Sequence, residues 1–199
     1  GAAVGKDMSN GFMMYIEEIG SQIAGRKVEV IIEDTQGDPA AALTKFRKLA
    51  ESDKVHAVAG IFLANEGYAL APKVDEYQMP TVWAVVSADD LTQRKPTKWA
   101  VRTGWTSSQP NHPFGDYVVR TLGYKKIVTI AMDYAFGWEQ VGGFQRTFEE
   151  AGGQVVQKLW PPLGTTDFGP YLAQIKRDAD AVFAVMVAAS SLRFPKQYQ

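Results

Sequence analysis

Apolar residues near the start of the chain recur at helical spacing: Phe12, Tyr15, Ile16, Ile19 and Ile23. That period predicts an amphipathic helix over roughly 6–20. The pattern then changes. "KVEVIIED" (27–34) is rich in β-branched residues and reads as a strand. It runs into "TQGDP" (35–39), where Gly37 permits a tight turn, Asp38 can cap a helix and Pro39 suits its first position. Helix 39–52 follows, with Leu43, Phe46 and Leu49 on one side. From there strands and helices alternate: strand 56–61, helix 66–78, strand 81–86, an irregular "SADDLTQRKPTK" and strand 98–103. After "GWTSSQPNHP" the pattern predicts helix 113–122, strand 126–132, helix 138–151, strand 154–159, helix 168–177 and strand 181–187.

Alternating strands and helices with short connections argue an α/β fold, mostly parallel sheet with helices on both faces. The spacing is that of βα topology, not of a solenoid repeat. The stretch 98–110, "KWAVRTGWTSSQP", interrupts the rhythm and reads as a boundary between two lobes. The chain opens almost directly on a helix and stops at "SSLRFPKQYQ", just inside another. Two incomplete lobes are therefore expected: an N-terminal lobe over 1–103 lacking its first strand, and a second lobe over 104–199.

Composition narrows the function classes. With 46% hydrophobic residues, and Lys+Arg 21 against Asp+Glu 22, the chain suits a packed globular protein. A net charge of −1 gives no electrostatic case for nucleic acid or an anionic membrane surface. No apolar run approaches the ~18–20 residues of a membrane span, and no signal peptide is present. The absence of cysteine excludes disulfides and thiolate metal sites, and fits an oxidising compartment as well as a reducing one.

Candidate catalysts are few. There is no GxSxG, HExxH, GxGxxG or GxxxxGK[ST]. His56, at the start of an apolar strand, reads as structural, and His112, between prolines 110 and 113, as a solvated loop residue. The adjacent acids Asp89 and Asp90, and Glu149 and Glu150, read as solvated faces, because neighbours in sequence do not oppose each other as a catalytic pair must. Gly142 and Gly143 fall within a helix, while Gly152 and Gly153 signal a helix end. No nucleophile, base and orienting group assemble, so no enzyme and no cofactor are expected.

The remaining features sit where α/β sheets bind ligands, in the loops after strands. In the first lobe these are "TQGDP", "FLANE" (62–66) and "VSADD" (86–90). In the second they are "DYAFGWE" (133–139) and "VAASS" (187–191). Small and polar residues there allow close backbone approach, and the helices that follow aim free N–H groups at an anion. Phe62, Trp105, Phe136 and Trp138 stand nearby as candidate aromatic contacts.

Five segments in order carry a resemblance to a known family: "GAAVGKDMSNGF", "GRKVEVIIEDTQGDPAAA", "DDLTQR" with "RTGWTSSQ", "DYAFGWEQVGGFQRTFEEAGGQVV" and "TTDFGPYLAQIK". Together they resemble the type I periplasmic binding proteins, the solute-binding proteins of branched-chain amino-acid-type ABC transporters. The resemblance implies two lobes hinged near 102–106 that close on a ligand. It also implies a membrane permease as partner, an extracytoplasmic location (periplasmic, or extracellular and membrane-tethered) and a monomer.

By position, the resemblance also implies the site. Ala64 matches a ligand-carboxylate-binding serine, with Asn65 beside it able to supply an amide N–H; Phe62 and Leu63 complete that turn. Ser87 matches a ligand-contacting threonine, with Val85 and Val86 leading into it and the Val85 carbonyl facing ligand. Phe136 matches an aromatic that closes over the ligand, Thr106 stands where relatives often carry an aspartate, and Trp105 precedes it. Loss of that acid weakens the case for an ammonium ligand. Val4, where relatives are often aromatic, leaves room for a ring. The expected ligand is a small carboxylate-bearing solute, an aromatic acid ahead of a branched-chain or other amino acid, with its carboxylate against Ala64 and Asn65. Rival readings are a ligand-sensing receptor domain on the same fold and an α/β enzyme.

Overall fold

The computed structural model describes residues 2–199. Gly1, the first residue of "GAAVGKDMSNGF", lies outside the described residues. The chain separates into two compact units, Gly1–Val86 with Lys95–Gly104 and Ser87–Arg94 with Trp105–Gln199.

In the first unit, helix α1 (Ala2–Glu18) leads into an antiparallel hairpin of β1 (Gln22–Ile23) and β2 (Arg26–Lys27). Helix α2 (Pro39–Arg47) begins as its sequence dictates. Gly37 takes φ 71, and the Asp38 carboxylate accepts the N–H groups of Ala40 and Ala41 at 2.6 and 2.9 Å. The helix runs on through a wider turn, Lys48–Ser52, so the expected 39–52 helix is present with a π-type end. Strands β3 (Val58–Gly60), β4 (Thr81–Trp83) and β5 (Ala100–Arg102) form a parallel sheet in that order, with α3 (Ala64–Glu76) between β3 and β4 in sequence. The unit's core gathers Ala42, Phe46, Leu70, Val74 and Trp83, all nearly inaccessible to solvent.

The second unit starts with a 3-10 turn at Asp89–Leu91. It continues with α4 (Asn111–Arg120), β6 (Lys126–Ala131), α5 (Ala135–Glu150), β7 (Gln154–Leu159), α6 (Gly169–Leu172), β8 (Ala181–Val185) and α7 (Ser190–Tyr198). Its sheet is parallel in the order β7-β6-β8, with a register shift between Ile127 and Val128 on the β7 side. Phe144 stacks on Phe183 at 4.3 Å and on Phe148 at 5.0 Å between ring centroids, and Val118, Val119 and Ile127 complete that core. The Asp180 carboxylate accepts the N–H groups of Lys125 and Lys126 at 2.7 and 2.8 Å, which pins the start of β6 beside β8.

Several sequence expectations are corrected. Of the expected strand 27–34 only Lys27 is paired, in the β1–β2 hairpin; residues 28–34 enter no ladder among the described residues. β-Branching favours extended backbone, but a strand exists only against a partner's amides and carbonyls. This segment is instead tied by its side chain, with Glu33 paired to Lys45 and Lys48 at 2.8 Å each. Helices α3, α4 and α5 start two to three residues earlier than apolar periodicity suggested, at Ala64, Asn111 and Ala135. His112 therefore lies in the first turn of α4, not in a loop, and His56 is exposed ahead of β3, not within it. The expected helix 168–177 is regular only over Gly169–Leu172 and then loosens into turns. There the Lys176 N–H is drawn to Gln157 Oε1 at 3.0 Å and its ammonium to the Val156 carbonyl. Among the described residues no helix is long and apolar enough to cross a membrane, and no group of three or more His, Asp or Glu could hold a metal.

Candidate functional site

In the first unit, β3 ends in a tight reversal. Gly60 takes φ 119 and Ile61 takes φ 65, a left-handed value that is costly for a β-branched residue. The reversal delivers Phe62, half-buried, and Leu63, the residue at the cap of α3. Leucine has no side-chain acceptor to serve a helix end. The Glu66 carboxylate takes over part of that work, its Oε2 accepting the Leu63 N–H at 3.1 Å, one half of a capping box. The amides of Ala64, Asn65 and Glu66 follow as the first of the helix, for which the helix itself offers no acceptor. Ala64 and Glu66 are 2% and 1% exposed. Two acceptor atoms of this turn, Asn65 Oδ1 and Glu66 Oε1, are buried without a donor among the described residues.

Beyond β4, Val85 is exposed and Val86 buried. The Ala84 N–H donates to the Gly60 carbonyl and the Val86 N–H to the Ile61 carbonyl, both at 3.2 Å. Phe62, Leu63, Ala64, Asn65, Val85 and Val86 are thus brought to one end of one sheet. The buried side chains of Leu63 and Val86 face protein, so their part in any ligand contact is that of backbone.

In the second unit, Ser87 is bolted to Ser107. Its carbonyl accepts the Ser107 N–H at 2.8 Å and the Ser107 hydroxyl at 3.0 Å, and the two hydroxyl oxygens lie 3.0 Å apart. Asp89 is 8% exposed, which corrects its reading as a solvated residue. Its carboxylate accepts the Ser108 N–H at 3.0 Å, and its own N–H donates to Glu139 Oε2 at 3.1 Å. Asp90, beside it, pairs with Arg94 at 2.7 Å. Thr106 is half-buried, its hydroxyl accepting Gln93 Nε2 at 3.4 Å, while Trp105 is 63% exposed.

Phe136 lies in the first turn of α5, half-buried against Ala131, Val141 and Val185, with its ring 6.0 Å from that of Tyr134. Burial first, and then the nearby Glu139 charge, push the Tyr134 phenol well above its ordinary range. Trp138 is exposed and donates its indole N–H to Asp133 at 2.9 Å. An open groove of about 520 Å³ runs over this unit between Asp89, His112, Trp138, Glu139, Gly142 and Arg146.

Sequence reasoning missed Glu66, Ser107 and Glu139. Only Glu66 left a signal, an acid three positions into a helix start. Ser107 and Glu139 act on residues 20 and 50 positions away, where no local pattern reports them.

The family profile described as periplasmic binding protein matches residues 1–199. The chain is similar to the "Leu/Ile/Val-binding protein homolog 6" of Brucella melitensis biotype 1, 30% identical over 99% of this chain and 50% of that one. It is similar to an ABC transporter substrate-binding protein from Sphaerobacter thermophilus, 40% identical with a TM-score of 0.79, over 92% of this chain and 51% of that one. A solute binding protein of an ABC transporter from Rhodopseudomonas palustris BisB5, solved in complex with 3,4-dihydroxybenzoic acid, is 31% identical with a TM-score of 0.90, over 99% of this chain and 54% of that one. The chain spans about half the length of the curated relatives it matches.

Proposed function

Because the chain belongs to the periplasmic binding protein family, we propose that it is part of an extracytoplasmic solute-binding protein that captures a small carboxylate-bearing solute, an aromatic acid, for an ABC importer. In this reading it performs no catalysis. It acts as a monomer, periplasmic or tethered outside the membrane, and delivers its solute to a membrane permease. Lobes over 1–103 and 104–199 each supply contacts: Phe62, Leu63, Ala64, Asn65, Val85 and Val86 from the first, Trp105, Thr106 and Phe136 from the second. Ser87 completes the set from the segment 87–94, which packs with the second unit.

The observation that carries the proposal is an arrangement repeated in both units. Helix α3 begins four residues after β3 ends at Gly60, and α5 begins four residues after β6 ends at Ala131. Each helix therefore opens its first amides at the carboxyl end of a parallel strand, the position at which α/β sheets hold anionic and polar ligands. The aromatic preference is supported by the relative that holds 3,4-dihydroxybenzoic acid and by the exposed Trp105 ring. A branched-chain amino acid is the second reading, favoured by the Brucella relative named for leucine, isoleucine and valine.

Calorimetric titration of the intact protein separates the two. Binding of benzoate-type acids with no heat from leucine, isoleucine or valine supports the proposal. Binding of the amino acids alone transfers it to the second reading, and chemical conversion of any bound solute overturns it as a binding protein.

A further inference from the structure

The open groove over the second unit, about 520 Å³ in volume, has a glycine in its wall that nothing inside the protein requires. Gly142 lies within helix α5, is exposed, and a Cβ on it would meet nothing within 4 Å among the described residues. Glycine at such a position weakens a helix relative to alanine, and what it offers in return is close approach from outside. Trp138, Gly142 and Arg146 follow one another at intervals of four residues, so they form one row along α5, a small residue between two large ones. Trp138 is exposed, and Arg94 reaches the same groove from the 89–94 segment. The Arg94 and Arg146 side chains are 81% and 70% exposed, Arg94 oriented by Asp90 at 2.7 Å and Arg146 by Glu150 at 3.2 Å. A guanidinium has five N–H donors, so the Glu150 pair orients Arg146 without exhausting it. The acids of the groove are recessed. Asp89 is buried with its carboxylate on the Ser108 N–H, and half-buried Glu139 sets Oε2 on the Asp89 N–H. The rim is therefore cationic and aromatic, around the gap at Gly142.

We propose that this groove, with Trp138, Gly142 and Arg146 on one wall and Arg94 on the segment beside it, is the docking surface for an acidic, outward-facing loop of the membrane permease. This rests on the importer reading above and adds the surface by which the protein meets its partner. A small-solute site encloses most of its ligand, whereas this groove is open. Arginine and tryptophan are the residue types that anchor protein interfaces, and Gly142 admits a partner's side chain or backbone between them. The sign of the charge selects the loop. Lys and Arg of a membrane protein gather in its cytoplasmic loops, so acids dominate the charge of its outward loops and meet Arg94 and Arg146 with few cations to oppose them.

The test separates docking from solute binding. Calorimetry on the intact protein gives solute affinity, with a benzoate-type acid or leucine as the probe, whichever the parent binds. Uptake of the same solute, labelled, gives coupling to the importer; it is measured in spheroplasts of the source cells that lack their own copy and receive the purified protein. The test variants are Arg94→Glu/Arg146→Glu, which reverses the charge, and Gly142→Gln, which fills the gap. In both, solute affinity should stay within about threefold of the parent, while the protein concentration giving half-maximal uptake should rise at least about tenfold, the scale of a hot-spot contact. Gly142→Ala, too short to fill the gap, should support uptake like the parent. Parent-like uptake with either test variant overturns the docking surface and leaves the importer reading standing. Equal loss of solute affinity and uptake overturns it in favour of a solute site. A lower melting temperature in Gly142→Gln gives the groove to the protein's own chain, and a parent dimer that this variant dissociates gives it to a second copy; each overturns the proposal. No uptake by the parent of a solute that it binds overturns the importer reading and this surface together. Should the charge-reversed variant fail to fold, Gly142→Gln decides alone.

Discussion

Gly143 and its neighbour Gly142 sit side by side in α5 with opposite requirements. A Cβ on Gly143 would meet the Ser108 carbonyl oxygen at 2.6 Å, whereas one on Gly142 meets nothing within 4 Å. The first glycine lets α5 lie directly on the turn that holds Ser87 and Asp89, and that turn is backbone, which cannot swing aside. Gly143→Ala is expected to destabilise the second unit by about 1–3 kcal/mol, the range for overpacking. Gly142→Ala should stabilise it by about 0.5–1 kcal/mol through helix propensity. Urea unfolding of the two variants against the parent measures both signs.

Tyr134 gives a pH prediction at the same scale. Its phenol is held protonated in the fold by burial and by Glu139, while in the unfolded chain it ionises near its ordinary value of 10.0. Above that value the unfolded state binds fewer protons than the folded one, so stability falls as pH rises. Stability measured from pH 9 to 11 should drop more steeply in the parent than in Tyr134→Phe; parallel curves would reject the linkage.

At the scale of elements, the ends carry the specificity. Helix α2 is stopped and started by chemistry that local sequence fully states: Gly37 at φ 71, Asp38 bonded to two amides, Pro39 at the first position. Removing that cap with Asp38→Ala should cost about 1 kcal/mol. Asp38→Asn should recover most of the loss, since its amide oxygen can still accept, and thermal unfolding of the pair tests this. Helix α3 lacks such a residue at Leu63, and its cap is improvised from within by Glu66. The segment 28–34 shows the opposite case, in which strong strand character forms no strand. Its Ile31 and Ile32 are 40% and 61% exposed, and its Glu33 pairs with Lys45 of α2 and with Lys48 just beyond it.

For the whole molecule, the family assignment predicts that ligand stabilises the fold by mass action. A solute bound only by the folded protein adds about 2.7 kcal/mol at a hundredfold excess over its Kd. On the aromatic-acid proposal, the melting temperature of the intact protein should climb steadily with the concentration of a benzoate-type acid. A flat response across that series, with a rise in leucine, would assign the site to amino acids.

The sequence alone determined the kinds and order of elements from α2 onward, because helix and strand periods and the caps are local, set within a few residues. It also determined the family, through five motifs in their proper order, and the loops at strand ends that are the candidate site. Tertiary structure decided what depends on partners distant in the chain. The β-branched run at 27–34 could not show that residues 28–34 find no ladder partner among the described residues. Asp89 looked like a solvated acid until the Ser108 amide, 19 residues on, enclosed its carboxylate. Nothing local joins Ser87 to Ser107 or Asp89 to Glu139. The unserved oxygen of Glu66 is likewise a property of everything packed around it. Burial and hydrogen-bond satisfaction are sums over spatial neighbours, and only the folded chain supplies those neighbours.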